Sequence, residues 1–222
     1  MFGEKMKKRN SIKVTILIDL PDSFLHDHVS SLIQALEKKG CEVVFCNDAK
    51  NIRSGDILFL LGCRTVLTAE SLRLNKHNLV VHPSRLPEGR GSAALVWRIL
   101  KGENTVYLTL FEATEKVDSG PIYYQEKIEF EGHELSDEIR RIQALKTLEL
   151  VLRFVDEYPS VKGIEQSGKA TFCPKRFPKD SKLDINRTIH EQFNLLRVVD
   201  NKRYPAFFEY KGHKYIVHIY KG

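Results

Sequence analysis

Residues 12–18, IKVTILI, are β-branched and apolar almost throughout. A strand of that kind has no polar side to turn to water, so it lies inside a sheet covered on both faces. The pattern recurs. EVVFC at 42–46 reads as a second strand, residues 57–62 (ILFLLG) as a third announced by Ser54-Gly55-Asp56, and Asn78-Leu-Val-Val-His82 as a fourth. Between the first two, Leu25, Val29, Leu32, Ile33 and Leu36 fall at helical spacing over 24–39, with Lys38-Lys39-Gly40 closing the helix. This alternation predicts an α/β fold, a Rossmann-like open and mostly parallel sheet with helices on both faces.

After His82 the chain reads as a loop, Pro83-Ser-Arg-Leu-Pro87-Glu-Gly-Arg-Gly91, then a helix over 93–101. Strands follow at 105–112 and 121–130, joined by the loop 113–120. Leu135, Ile139, Ile142, Leu145, Leu148, Leu152 and Val155 mark a long amphipathic helix over 135–155, stopped by Tyr158-Pro159. A helix over 186–199 and a hairpin, 206–210 with 215–220 about Lys211-Gly212, complete the chain. The expected division is a basic tail at 1–11, a catalytic domain at 12–165 and a small C-terminal helix/β-hairpin subdomain at 166–222.

Charge separates those parts. The net charge is +6. Residues 1–10 carry +3, residues 11–170 carry −3 and residues 171–222 carry +6. A basic end on a slightly acidic body suggests an anionic small-molecule partner rather than a surface that grips nucleic acid. No apolar run approaches the ~20 residues of a membrane helix, and the opening residues lack the apolar stretch of a secretory signal. Cys41, Cys46, Cys63 and Cys173 show no CxxC spacing, which reads as reduced thiols in a cytoplasmic protein. Neither the cysteines nor the scattered histidines, His26 and His28 among them, make a metal site.

Two polar residues stand where an open α/β sheet gathers catalytic groups. His82 closes the fourth strand at its carboxyl end, and Asp118 lies in the loop after a later one. An imidazole and a carboxylate together move a proton and stabilise developing charge without a covalent nucleophile. Gly89-Arg-Gly91-Ser-Ala-Ala94 matches GxGxxA, but it follows the fourth strand rather than the first, the wrong place for a dinucleotide fingerprint. The residues alone therefore imply an α/β enzyme using a His/Asp pair on a neutral or anionic substrate.

In order, His82-Pro-Ser-Arg-Leu-Pro87, Gly89-Arg-Gly91 and Asp118-Ser-Gly-Pro121 resemble the signature of the formyltransferases that use N10-formyltetrahydrofolate. That family's motif runs Asn-x-His-x-Ser-x-Leu-Pro, with the catalytic Asp 36 residues after the His, the spacing found here. Ala170-Thr-Phe-Cys-Pro-Lys-Arg-Phe-Pro-Lys-Asp-Ser resembles the segment that follows the Rossmann domain in methionyl-tRNA and sugar-nucleotide formyltransferases. The resemblance implies that His82 stabilises the oxyanion as an amine attacks the formyl carbon. It implies that Asp118 fixes the imidazole and helps remove the amine proton. It places the folate pterin by Cys63, Arg64, Val66 and Leu67 and the backbone of Thr114, Glu115, Lys116 and Val117, with the acceptor passing Arg90 and Gly91. No metal is required.

One position departs. The family's Asn falls at Val80. Asn78 is in phase on the strand but sits ~13 Å of strand away from His82. A β-bulge at Asn78, or His82 with a water and Ser84, are the alternatives for the oxyanion.

Among the family's substrates, the chain looks short for a methionyl-tRNA formyltransferase. The turn Asp19-Leu-Pro-Asp-Ser lacks the glycine-rich phosphate grip of glycinamide ribonucleotide transformylases. A nucleotide-linked amino sugar (UDP or dTDP) is the expected acceptor, for cell-surface glycan biosynthesis. Lys175, Arg176 and Arg197, with Lys202 and Arg203, are candidates for the diphosphate, Tyr204 and Phe207 for stacking on the base, and Asn194 for its edge. The resemblance further suggests a homodimer. Rival readings are formylation of another amine, a non-catalytic folate- or nucleotide-binding relative motivated by Val80, and an RNA-contacting interaction protein.

Overall fold

A computed structural model describes residues 11–222. The basic tail expected at the N-terminus lies outside the described residues except for Ser11. The hydrogen-bonded strand order of the main sheet is β2-β1-β3-β4-β6-β7. These are β1 (Lys13–Leu17), β2 (Glu42–Cys46), β3 (Gly55–Leu60), β4 (Asn75–His82), β6 (Thr105–Glu112) and β7 (Ile122–Glu129), with β5 (Arg90–Gly91) lying elsewhere. Between Leu79 and Val80, inside β4, the chain divides into two compact units.

In the first unit β1 pairs in parallel with both neighbours, Lys13 facing Glu42 and Val14 facing Ile57. Val14, Ile16 and Leu17 and residues 57–61 are buried, as a strand apolar on both faces requires. Helix α1 (His26–Lys38) buries Leu32 and Leu36 and ends at Gly40, whose positive φ stops it. A short helix α2 (Ala69–Leu72), capped by the Thr68 side chain, precedes β4. Its single turn is too brief to leave a periodic signal in the sequence.

In the second unit β6 and β7 are antiparallel, Thr105 facing Glu129, with a bulge at Leu110/Phe111. The remaining helices are α3 (Ala94–Leu100), α4 (Ser136–Glu157) and α5 (Ile189–Val198). Helix α4 buries Ile139, Ala144, Leu150, Val151 and Phe154. A pairing absent from the sequence reading joins β5 to β8 (Phe172–Cys173) in parallel, Arg90 facing Phe172 and Gly91 facing Cys173. It puts residues on either side of position 165 into one compact unit. The hairpin is β9 (Ala206–Tyr210) and β10 (His213–Val217). Lys211 and Gly212 both have positive φ, a two-residue turn that starts the second strand at His213 rather than at the expected 215. Among the described residues no helix is long and apolar enough to cross a membrane.

Candidate active site

His82 ends β4 and is 7% exposed. Its Nε2 lies 2.8 Å from the Gly89 carbonyl oxygen. A carbonyl only accepts, so Nε2 carries the proton, and the other ring nitrogen is directed elsewhere. That nitrogen, Nδ1, lies 4.0 Å from Asp118 Oδ2, and both side chains are about nine-tenths buried. The separation exceeds a hydrogen bond. The two groups thus face each other without a direct hydrogen bond between them.

Asp118 reaches this place through backbone chemistry. Its φ of 53° is left-handed, a conformation that aspartate tolerates better than most residues. The carboxylate Oδ2 accepts the Gly91 N–H at 2.8 Å. Gly91 must itself be glycine. Its φ is 98°, and a Cβ there would stand 2.6 Å from the Cys173 carbonyl oxygen. Two residues after Asp118, a Cβ on Gly120 would fall 1.9 Å from the Glu112 carbonyl oxygen. These contacts explain why Gly91 and Gly120 surround the pair: backbone passes backbone too closely for any side chain.

Ser84 is buried, gives its N–H to the His82 carbonyl at 2.9 Å and accepts the Thr109 hydroxyl on its own carbonyl at 2.6 Å. Its Oγ has no hydrogen-bond partner among the described residues. Asn78 departs from expectation. Its amide nitrogen donates to the Leu72 carbonyl at 2.8 Å, so it ties the end of α2 to β4 instead of serving an oxyanion. Arg90, expected to border the acceptor's path, is 8% exposed and donates from Nη2 to Gln166 Oε1 at 2.7 Å. Gly91 remains open to solvent.

The residues expected at the folate fall in both units. On the first, Arg64 and Thr65 give their N–H groups to the Asp19 carboxylate at 2.7 and 3.0 Å. Burial pushes the Asp19 carboxyl up, and those hydrogen bonds outweigh it and hold it below the usual range. The Cys63 thiol donates to the Leu17 carbonyl, and burial pushes it up to about 12. Val66 is exposed and Leu67 buried. On the second, Thr114 to Val117 form an exposed loop in which the Thr114 and Ser119 hydroxyls both donate to the Lys116 carbonyl.

The expected nucleotide cluster is not assembled. Arg197 is 1% exposed. It ion-pairs with Glu134 at 3.0 Å and donates to Asn104 and Asn194, so Arg197 is committed within the fold and half-buried Asn194 spends its Oδ1 on it. Arg176 is half-buried and donates to the Val198 carbonyl and the Ser181 hydroxyl. Arg203 ion-pairs with Asp200. Phe207 is buried beneath Lys214, whose Nζ lies 4.0 Å from the ring centroid, which leaves no face for a base. Tyr204 is half-buried, its carbonyl accepting from Ser181. Lys175 and Lys202 face water. The sequence missed Gln166 and Thr171, which touch the partners of both Asp118 and His82. Only the resemblance of residues 170–181 to a family segment drew attention to that stretch.

Solved structures share the fold. A 4-N formyltransferase from Francisella tularensis superposes with a TM-score of 0.76 at 18% identity, covering 94% of this chain and 97% of that one. HypX from Aquifex aeolicus in complex with tetrahydrofolic acid gives 0.76 at 19% identity, over 94% of this chain and 37% of its own. Among curated relatives, the bifunctional polymyxin resistance protein ArnA of Wigglesworthia glossinidia brevipalpis is 29% identical over 73% of this chain and 25% of its own length. Methionyl-tRNA formyltransferase of Thermodesulfovibrio yellowstonii is 29% identical over 60% of this chain and 44% of its own. The chain thus spans less than half the length of either relative. Residues 46–152, which contain His82 and Asp118, match the family model described as formyl transferase.

Proposed function

We propose that this chain is a one-carbon transferase that moves a formyl group from N10-formyltetrahydrofolate to the amine of a nucleotide-linked amino sugar. The observation that carries the transfer chemistry is the His82 ring, anchored through Nε2 on the Gly89 carbonyl at 2.8 Å with Nδ1 4.0 Å from Asp118 Oδ2. The donor, as substrate, supplies an activated formyl carbon.

Protonated at Nδ1, His82 donates to the oxygen on which charge develops, and the facing carboxylate stabilises the imidazolium. Asp118, held by the Gly91 N–H, receives the proton leaving the amine, directly or through water; as the formyl C–N10 bond breaks, that proton passes to N10 and tetrahydrofolate leaves. Nearly complete burial of both side chains strengthens each interaction relative to water. Val80 offers no donor, so His82 carries the oxyanion with a water and with the unpartnered Ser84 hydroxyl as the remaining local donor. For the donor, the residues present fit. Within the second unit, exposed Val117 offers apolar contact beside the backbone of the Thr114–Ser119 loop, suited to an amide-like pterin edge. Tetrahydrofolic acid in the HypX complex supports the donor, and the sugar N-formyltransferase from Shewanella, a structure of the same fold (TM-score 0.71, 15% identity), supports the sugar amine. The methionyl-tRNA relative favours an aminoacyl amine as the second reading.

The test is mass spectrometry of UDP- and dTDP-linked amino sugars, and of methionyl-tRNA, each incubated with the chain and N10-formyltetrahydrofolate. A gain of one formyl group on a sugar, abolished in His82→Ala and Asp118→Asn, is the expected result. Full activity in both variants overturns the mechanism, and formylation of the tRNA alone overturns the acceptor.

A further inference from the structure

Residues 164–174 carry no periodic pattern and lie beyond the segment matched by the family model, yet they run along both halves of the His82–Asp118 pair. One end is held by Ile164, which exchanges two 2.8 Å backbone hydrogen bonds with Ile122. The other is held by the pairing of Cys173 with Gly91 and by the Trp97 indole N–H, which donates to the Pro174 carbonyl at 2.8 Å.

Between those ends two side chains act on the site through backbone. Thr171 Oγ1 accepts the Gly89 N–H at 2.8 Å. Its carbonyl accepts the Arg90 N–H at 2.9 Å. These donors lie on either side of Gly89, and the Arg90 N–H belongs to the peptide whose oxygen accepts from His82 Nε2. Thr171 therefore clamps the one carbonyl that selects the tautomer of His82 and the plane of its ring. Gln166 does the equivalent for the carboxylate. Its Nε2 donates to the Asp118 carbonyl at 3.1 Å and the Gly120 carbonyl at 2.9 Å, while its Oε1 accepts from Arg90. That amide holds Asp118 in its left-handed conformation from behind.

We propose that residues 164–174 are a positioning strap for formyl transfer, in which Thr171 sets the His82 ring through Gly89 and Gln166 sets the Asp118 carboxylate through the 118–120 backbone. The inference rests on the proposed formyl transfer, and neither residue touches the reacting atoms. A pre-set ring and carboxylate favour the chemical step rather than donor binding, since no reorganisation remains when charge develops.

The test uses the full chain with Thr171→Val and Thr171→Ala, which lose the hydroxyl, Thr171→Ser, which keeps it, and Gln166→Glu, which keeps the acceptor for Arg90 but turns a donor into an acceptor facing two carbonyls. The first readout is the ¹⁵N NMR signature of the His82 ring, assigned by its loss in His82→Ala. The second is kcat and donor KM, with N10-formyltetrahydrofolate and a dTDP-linked amino sugar as the probes. Wild type and Thr171→Ser should give the Nε2-protonated pattern. Thr171→Val and Thr171→Ala should give mixed tautomers and a kcat lower by about three- to tenfold, the worth of one neutral hydrogen bond, at unchanged donor KM. Gln166→Glu should lower kcat by a similar factor while leaving the ring signature as in wild type. A wild-type ring signature in both hydroxyl-less variants overturns the strap, whatever the activity. Undiminished transfer by His82→Ala overturns the underlying chemistry instead, and leaves the NMR result to judge the positioning by itself.

Discussion

Replacing Arg197 with methionine separates a structural arginine from a substrate-binding one. Its guanidinium is 1% exposed and donates to the Glu134 carbonyl at 3.1 Å, the Glu134 carboxylate at 3.0 Å and Asn104 Oδ1 at 2.8 Å. Methionine fills a similar volume, so the main loss is electrostatic. It strands the Glu134 carboxylate, itself buried, without its cation. Breaking one side of a buried pair costs about 3–5 kcal/mol. The lower end applies because Glu134 keeps the N–H groups of Glu131 at 2.6 Å and Gly132 at 3.0 Å. About 3 kcal/mol corresponds to a melting point lower by about 6–12 °C for a chain of this size. Differential scanning calorimetry measures that fall, and kinetics on the same sample give the acceptor KM. Arg197→Met combined with Glu134→Gln should recover part of the loss, since the stranded charge is then gone. A melting point within about 2 °C of wild type, less than 1 kcal/mol, together with a raised acceptor KM would refute the structural reading.

Two further outcomes follow from titratable groups whose surroundings shift them. Burial pushes the Asp200 carboxyl up, but hydrogen bonds from Arg203, Arg140 and the N–H groups of Arg203 and Lys202 more than offset it, and its pKa falls well below the usual range. A depressed folded pKa adds stability above the unfolded value of about 3.9 that is lost as pH drops below it. Guanidinium midpoints should therefore fall less steeply in Asp200→Asn than in wild type between about pH 5 and 2, and parallel slopes would refute this. The Cys63 thiol, pushed up to about 12, should resist iodoacetamide at pH 8 in the native chain and react once urea unfolds it. Rapid native labelling at Cys63, read by peptide mass spectrometry, would contradict its raised pKa.

Much of the fold is legible in the sequence because its signals are local. IKVTILI becomes β1 and TVYLTLFE becomes β6, since runs that are apolar on one or both faces leave no other way to exclude water. The Lys211-Gly212 turn is legible too, but not its register: two positive-φ residues start β10 at once, two residues before the hydrophobic pattern suggests. His82 and Asp118 are legible through their ordered motif. The strap is not. Thr171 acts on Gly89 across 82 residues and Gln166 on Asp118 across 48, and no local pattern encodes a hydrogen bond formed only after the sheet is assembled.

The charge of residues 171–222 has the same cause of misreading and leads further. Composition counts arginines and lysines alike, but the fold sorts them. Arg197 pairs with Glu134, Arg203 with Asp200 and Arg187 with Glu191, while Arg176 is half-buried on a carbonyl and a hydroxyl. Lys175, Lys179, Lys202, Lys211 and Lys214 instead stand exposed. An arginine grips a phosphate by two parallel hydrogen bonds, whereas a solvated lysine acts as a point charge that salt screens within about 8 Å at physiological strength. Lys182 and Lys221 are ion-paired too, with Glu209 and Glu138, so the C-terminal +6 divides between cations engaged within the second unit and five exposed lysines that present a diffuse field. An anionic acceptor drawn to that field is steered rather than clamped. On the proposed function, discrimination among acceptors then falls to the buried His82–Asp118 pair and its strap rather than to the basic end.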